Sequence, residues 1–493
     1  MSPTFADVSM PDKILTSTNT NPHIRRAEYA VRGELAIRSE ELKNELAKGV
    51  KLPFKRVVGC NIGNPQALDQ KPITFFRQVA SLVEYPELLK EENAEAALKL
   101  YPSDAIARAK LLLKHIGSVG AYSHSQGIPH IRENVAKFIS ERDGYAADPS
   151  KIFLTQGASA GVQLTLQMIV EHNKVGIMIP IPQYPLYTAT LAVLDANPVL
   201  YYLDENKGWG LTTDELQRSY DESTAKGIDT RALVIINPGN PTGQCLTEEN
   251  MREIIEFCHK NRVILLADEV YQTNIYKPKE RPFHSFKKVL KSMGPKYNGF
   301  EMISYHSVSK GMIGECGRRG GYFECEGLDD SIMEQIYKIS SISLCPNVQG
   351  QIMVDLMVNP PKEDEPSYKQ YKKEYDDIYY SLIKRASILE DTFNDLEGCT
   401  CNPADGAMYL FPQVRLPKKA IAAARAAGRE PDQFYCMAML EATGVCMVAG
   451  SGFGQVAGTA HFRSTFLPQP ELFEEFCSGL KNFHSDFMNK YRD

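Results

Sequence analysis

Between Tyr101 and Asn359 short apolar runs alternate with stretches of helical spacing, and this alternation restricts the fold more than any other feature of the chain. The runs lie at 152–154, 175–180, 199–203, 232–236 and 263–267, with helical patterns from about 158 and over about 247–261 among them. Strands separated by helices cannot pair as hairpins, so a mostly parallel sheet covered by helices on both faces is predicted. In such sheets ligands bind beyond the carboxyl ends of the strands, which is where chemistry is expected. A polar, proline-rich stretch at 359–367 (NPPKEDEPS) reads as a linker. Beyond it Tyr368, Tyr371, Tyr375, Ile378 and Leu382 recur at helical spacing and predict the apolar face of a long helix.

Composition excludes several classes of function. With 55 Lys+Arg against 61 Asp+Glu the formal charge is −6, the opposite of the basic field a nucleic-acid binder needs. Apolar runs such as VGIMIPI (175–181) fall far short of the roughly 18 residues of a membrane span. The 11 cysteines are scattered and odd in number, which reads as free thiols in a reducing compartment. Cys399 and Cys401 are too close for a zinc knuckle, so no metal site is expected. The N-terminus lacks the apolar core of a secretory signal, Asp7 and Asp12 count against a transit peptide, and Tyr491-Arg492-Asp493 is not a peroxisomal address. The cytosol is favoured, with a mitochondrion or peroxisome as the alternative.

Three polar motifs sit where the strands end. The run 232–236 passes into Asn237-Pro238-Gly239-Asn240-Pro241-Thr242-Gly243, a turn whose prolines bar helix and leave the Asn side chains free to donate. The run 263–267 ends in Asp268-Glu269-Val270-Tyr271, and Ser304-Tyr305-His306-Ser307-Val308-Ser309-Lys310 precedes Gly317-Arg318-Arg319-Gly320-Gly321. Taken singly these are an ordinary loop, a helix-capping carboxylate and a surface lysine. Their order and spacing carry more weight: Asn-Pro-x-Asn-Pro-Thr-Gly, Asp-x-x-Tyr about 28 residues on, Ser-x-Ser-Lys about 42 after that, then Gly-x-Arg-x-Gly.

On these motifs, with AEYAVRG (27–33), CNIGNPQ (60–66), GAYSHSQG (120–127) and PIPQYPLY (180–187), the chain closely resembles the fold-type I, pyridoxal-phosphate-dependent aminotransferases of classes I and II. Within them it looks like the alanine aminotransferase group, which includes glutamate:glyoxylate enzymes. The resemblance implies an α/β fold: a large domain with a mostly parallel seven-stranded sheet sandwiched by helices, plus a smaller α/β domain. The corresponding divisions are a leader at 1–26, the N-terminal part of the small domain at 27–110, the large domain at 111–360 and the C-terminal part of the small domain at 368–493.

The resemblance also assigns roles. Pyridoxal 5'-phosphate supplies the electron sink, and the protein holds and polarises it. Lys310 forms the Schiff base with its aldehyde and, once freed, moves protons. Asp268 faces the pyridine nitrogen, Asn240 and Tyr271 bond the ring's 3-oxygen, and Tyr184 stacks on the ring. The phosphate falls to Ala158 and Ser159 at a helix start, with Ser307 and Arg319; the Gly-x-Arg-x-Gly frame picks Arg319 over Arg318. Tyr122 matches a tyrosine that reaches the phosphate of the partner subunit's cofactor, which implies a homodimer. Arg463 binds the substrate α-carboxylate, and Gly63 lets the backbone approach the substrate. His124 and His461 read as structural, and Gly450-Ser451-Gly452-Phe453-Gly454 as a turn leading to Arg463. The expected reaction is a ping-pong transfer from L-alanine to 2-oxoglutarate, giving pyruvate and L-glutamate, with glyoxylate as the alternative acceptor. A lyase on the same fold, such as an aminocyclopropane-carboxylate synthase, is a further alternative. A cofactor-sensing regulator would need an attached DNA-binding segment, which the leader is too short to supply.

Overall fold

The computed structural model describes residues 14–492; the first half of the expected leader, with Asp7, Asp12 and Lys13, lies outside them. At the centre is a seven-stranded sheet, numbered here β1 (Ile152–Thr155), β2 (Val175–Ile181), β3 (Asn197–Tyr202), β4 (Asp229–Ile236), β5 (Ile264–Asp268), β6 (Met302–Ser307) and β7 (Gly321–Glu326). Across the sheet the order is β1-β7-β6-β5-β4-β2-β3. Every neighbouring pair is parallel except those made by β7, which runs against both β1 and β6. The mostly parallel α/β sheet expected from the alternation is present.

Helices on both faces make the inner strands β2, β4 and β5 largely apolar. β2 is buried along its whole length, so its sequence shows no polar alternation. The helix Glu248–Asn261 illustrates how the cover is encoded. Thr247 accepts from the Asn250 N–H at 3.2 Å and caps its start, Met251, Ile254, Ile255 and Cys258 form its buried stripe, and Arg262 at φ 55° ends it.

β6 and β7 are not apolar runs, which is why the alternation does not announce them. Their polar side chains belong to a buried ionic cluster. Lys287 donates to Glu324, Arg142 pairs with Asp143 at 2.7 Å, and the Phe286 N–H donates to Glu269 Oε1 at 2.8 Å. Burial pushes Glu269 up to about 8, with Arg142 opposing and Asp143 and Glu324 adding to the rise. A carboxyl that titrates near 4.5 when unfolded and near 8 when folded keeps its proton on folding, so stability is full below about 4.5 and falls as pH rises to about 8. Glu269→Gln is expected to flatten that fall, melting about 2 °C or more above the parent at pH 9 and differing little at pH 5. Parallel melting curves for parent and variant at both pH values would refute it.

The chain ends meet beside this sheet. Val58–Gly59 pairs in parallel with Val445–Cys446, and Phe462–Thr465 lies between Tyr409–Leu410 and Val448–Ala449 as the centre of an antiparallel patch. The long helix begins at Tyr368 and runs to Asn394. Among the described residues no helix is long and apolar enough to cross a membrane.

Candidate active site

Sheet register assembles one end of the site. Gly321, at the start of β7, pairs with Thr155 at the end of β1 and with Ser307 at the end of β6. Gly157, at φ 87°, turns the chain into the helix Ala158–Ile169 without a side-chain cap, so the Ala158 and Ser159 N–H groups stay open. Arg319 folds back over that start: Nη2 donates to Gln156 O at 3.1 Å and Nη1 to Cys316 O at 2.8 Å. A Cβ on Gly157 would stand 2.5 Å from Arg319 Nη2, so the position needs glycine for its φ and for this approach. Ala158, Ser159, Ser307 and Arg319 together offer N–H donors, hydroxyls and a guanidinium to one anion.

Beyond this cup β5 ends in Asp268. Its Oδ2 accepts from the Tyr187 hydroxyl at 2.7 Å, while Oδ1 is buried with no partner. Burial raises the carboxyl above its usual range against the pull of Tyr187, the Val270 N–H and Lys310. Lys310 Nζ donates to Gly63 O at 3.3 Å and lies 5.6 Å from the centroid of the Tyr271 ring.

The far end is built on the Phe462–Thr465 strand. Arg463 is 1% exposed, donating from Nη1 to Asn240 Oδ1 at 2.9 Å and from Nη2 to Asn61 O. Because Asn240 turns its oxygen to Arg463, its amide nitrogen remains a donor for the cavity. Arg463 Nε has no partner, and among the described residues no carboxylate pairs with this guanidinium. A buried cation without a counter-ion is costly unless a ligand supplies one.

A segment from the N-terminal side closes the mouth. The helix Pro22–Arg26 is tied to Asp195 by Arg26 at 2.7 Å and His23 at 3.2 Å, and the Tyr29 hydroxyl meets that of Tyr184 at 2.5 Å. Tyr29, Val31 and Arg32 line the same cavity of about 500 Å³ as the cup, Asp268, Lys310 and Arg463.

Gly63, Ala158, Ser159, Tyr184, Asn240, Asp268, Tyr271, Ser307, Lys310, Arg319 and Arg463 are brought together on this cavity wall, and Arg318 is not among them. Tyr122 stands apart, 79% exposed. Sequence reasoning missed Tyr187, Tyr409, Tyr29 and Arg32. Tyr187, Tyr29 and Arg32 lie inside stretches already singled out, so their signal was present; Tyr409 had none beyond its place in an apolar run.

A sequence profile described as aminotransferase class I and II matches residues 90–480. The chain belongs to this family. A probable mitochondrial alanine aminotransferase of Dictyostelium discoideum is 55% identical over 97% of this chain and 90% of its own length. Glutamate–glyoxylate aminotransferase 1 of Arabidopsis thaliana is 49% identical over 97% of this chain and 98% of its own. The solved alanine aminotransferase of Pyrococcus furiosus superposes with a TM-score of 0.73 at 23% identity, covering 95% of this chain and 100% of its own, a likeness of fold. Class I and II aminotransferases depend in general on pyridoxal phosphate. Two features of this aminotransferase fit that group: the orphaned Asp268 Oδ1 suits a ring N–H, and the open helix start beneath Arg319 suits a phosphate.

Proposed function

We propose that the protein transfers the amino group of L-alanine to 2-oxoglutarate in a ping-pong cycle, giving pyruvate and L-glutamate. The observation that carries the reading is a single cavity holding one lysine amine, one carboxylate with an unpartnered oxygen and one buried arginine without an acidic partner. Pyridoxal phosphate, when bound, makes the substrate Cα–H acidic by acting as an electron sink. Ala158, Ser159, Ser307 and Arg319 would hold its phosphate, and Asp268, Asn240, Tyr271 and Tyr184 its ring. Arg463 fixes the α-carboxylate, so the Cα hydrogen is presented to Lys310 Nζ, which takes and returns the proton. The strap carrying Tyr29 keeps water from the charged groups inside. The test is to add alanine alone to the holoenzyme: stoichiometric pyruvate is expected, and its absence defeats the proposal.

The relatives' names support alanine as donor, and the Arabidopsis relative keeps glyoxylate open as acceptor. Arg32 favours a dicarboxylate. It is exposed at the cavity wall, and among the described residues no acidic side chain pairs with it. Replacing Arg32 by Gln is expected to raise KM for 2-oxoglutarate about tenfold, while KM for alanine, pyruvate and glyoxylate stays within about twofold, since one exposed charge-assisted contact contributes about 1.4 kcal/mol. Equal changes for all four substrates would refute the assignment.

We read the active unit as a homodimer in which exposed Tyr122 reaches the partner's phosphate site, a reading that size-exclusion chromatography checks directly. For the compartment, the Dictyostelium relative's name supports the mitochondrial alternative over the cytosol.

A further inference from the structure

A second cavity lies beyond the carboxyl ends of β2 and β3, at the edge of the sheet, on the side where open α/β sheets take their ligands. It measures about 230 Å³ and shares no lining residue with the catalytic cavity. Ile181, Leu203, Phe411 and Trp209 make it largely apolar, and two polar groups are left open in it. The first is Glu205. Its Oε2 accepts from Gln413 Nε2 at 3.1 Å and faces His461 Nε2 at 3.0 Å, so both bonds fall on one oxygen and Oε1 has no partner among the described residues. The second is the indole N–H of Trp209. The residue is only 4% exposed, yet its Nε1 makes no hydrogen bond among the described residues and is not sealed in the core, so it opens onto the cavity that the ring lines. Trp209 sits at φ 63°, a left-handed conformation that a bulky side chain rarely takes, and is held there by its backbone N–H donating to Asp204 O at 2.8 Å.

The charge around this cavity is one-sided. Glu205 and Asp204 stand in its wall, and no lysine or arginine does. Lys207, which pairs with Asp204 at 3.8 Å, is exposed. His461 spends both ring nitrogens, one on Glu205 and the other on Gln455 Oε1 at 2.9 Å, so it has no donor left for an incoming anion. We propose that this cavity is a second binding site, for a small aliphatic ammonium compound that carries a neutral oxygen. The ammonium donates to Glu205 Oε1, the oxygen accepts from Trp209 Nε1, and the aliphatic body fills the apolar floor. A carboxylate in place of that oxygen would meet two like charges, so a free amino acid is disfavoured. The assignment is independent of the aminotransferase reading. A wall of rings separates the two sites: Phe411 stacks on His461 at 4.9 Å and meets Phe453 at 5.8 Å, and Phe453 lies against Arg463 at 4.6 Å.

Trp209 is the sole tryptophan of the chain, so its emission reports on this cavity. The probe is N,N-dimethyl-L-valinol, whose tertiary amine cannot condense with an aldehyde in the catalytic cavity. Added to the holoenzyme, it is expected to change the emission saturably, with a Kd of about 1 mM or below. Isoamyl alcohol, which lacks the ammonium, and N,N-dimethyl-L-valine, which has a carboxylate instead of the hydroxyl, are each expected to bind at least about tenfold more weakly. Glu205→Gln should weaken the probe at least about tenfold, and Trp209→Phe, followed by calorimetry, about fivefold. Saturating alanine should leave the probe bound with its Kd within about threefold, as two separate sites require. No saturation below about 10 mM, equal affinity for the three compounds, unchanged binding to Glu205→Gln, or displacement by alanine would each overturn the proposal. If a variant fails to fold, the three compounds on the parent decide the matter.

Discussion

Replacing Lys310 by alanine is expected to lower alanine-dependent pyruvate formation by at least about 10⁴-fold and to leave the protein without the visible absorbance of covalently held cofactor. The size of the effect follows from the cavity's inventory. Lys310 is the lysine on its wall, and the other cations there, Arg32, Arg319 and Arg463, carry guanidinium groups that are neither nucleophiles nor proton carriers at neutral pH. No neighbour can take over. The amine makes one hydrogen bond to the fold, to Gly63 O at 3.3 Å, so stability should change by only about 1 kcal/mol. A variant that keeps pyruvate formation within tenfold of the parent, or that retains the absorbance, would remove Lys310 from the chemistry.

Arg463→Met separates binding from stability in opposite directions. The guanidinium is fully buried against the rings of Tyr409 and Phe453, at 4.1 and 4.6 Å, with only the neutral oxygens of Asn240 and Asn61 as acceptors. A charge held in that way is expensive in the substrate-free protein, and an apolar side chain of similar volume in such places stabilises by about 1–4 kcal/mol. The variant should melt higher than the parent. Its kcat/KM for alanine should fall about 10³-fold, because a buried charge pair with the α-carboxylate contributes about 2–5 kcal/mol. Retained kcat/KM with a lower melting temperature would make Arg463 a structural residue instead.

What could be read from the sequence, and what could not, divides along physical lines. Apolar periodicity reports burial, so β2, β4 and β5 and the helix after β4 were visible, and the polar residues just beyond them stood out as Asn240 and Asp268. β6 and β7 were hidden because His306, Tyr322 and Glu324 are buried in a polar cluster that local pattern cannot tell from a surface. Lys310 and Arg319 emerged through spacing alone, without the strands that carry them. Tyr187 and Tyr409 depend on contacts between distant segments. Tyr187 reaches Asp268 from a helix 81 residues earlier, and Tyr409 meets Arg463 only through the pairing of Tyr409–Leu410 with Ser464–Thr465. No periodicity within either segment records such a meeting.

The reversed direction of β7 has a wider meaning. By lying between β1 and β6 it welds the anion cup to three hydrogen-bonded strands, so that end can open only when this side of the sheet comes apart. The segment at the mouth hangs on an isolated hydroxyl pair and an exposed ion pair at Asp195. One cavity thus spans a rigid anchor and a soft rim. Substitutions that retune which acid is accepted can accumulate at the rim with little cost to folding, whereas the anchor tolerates almost none.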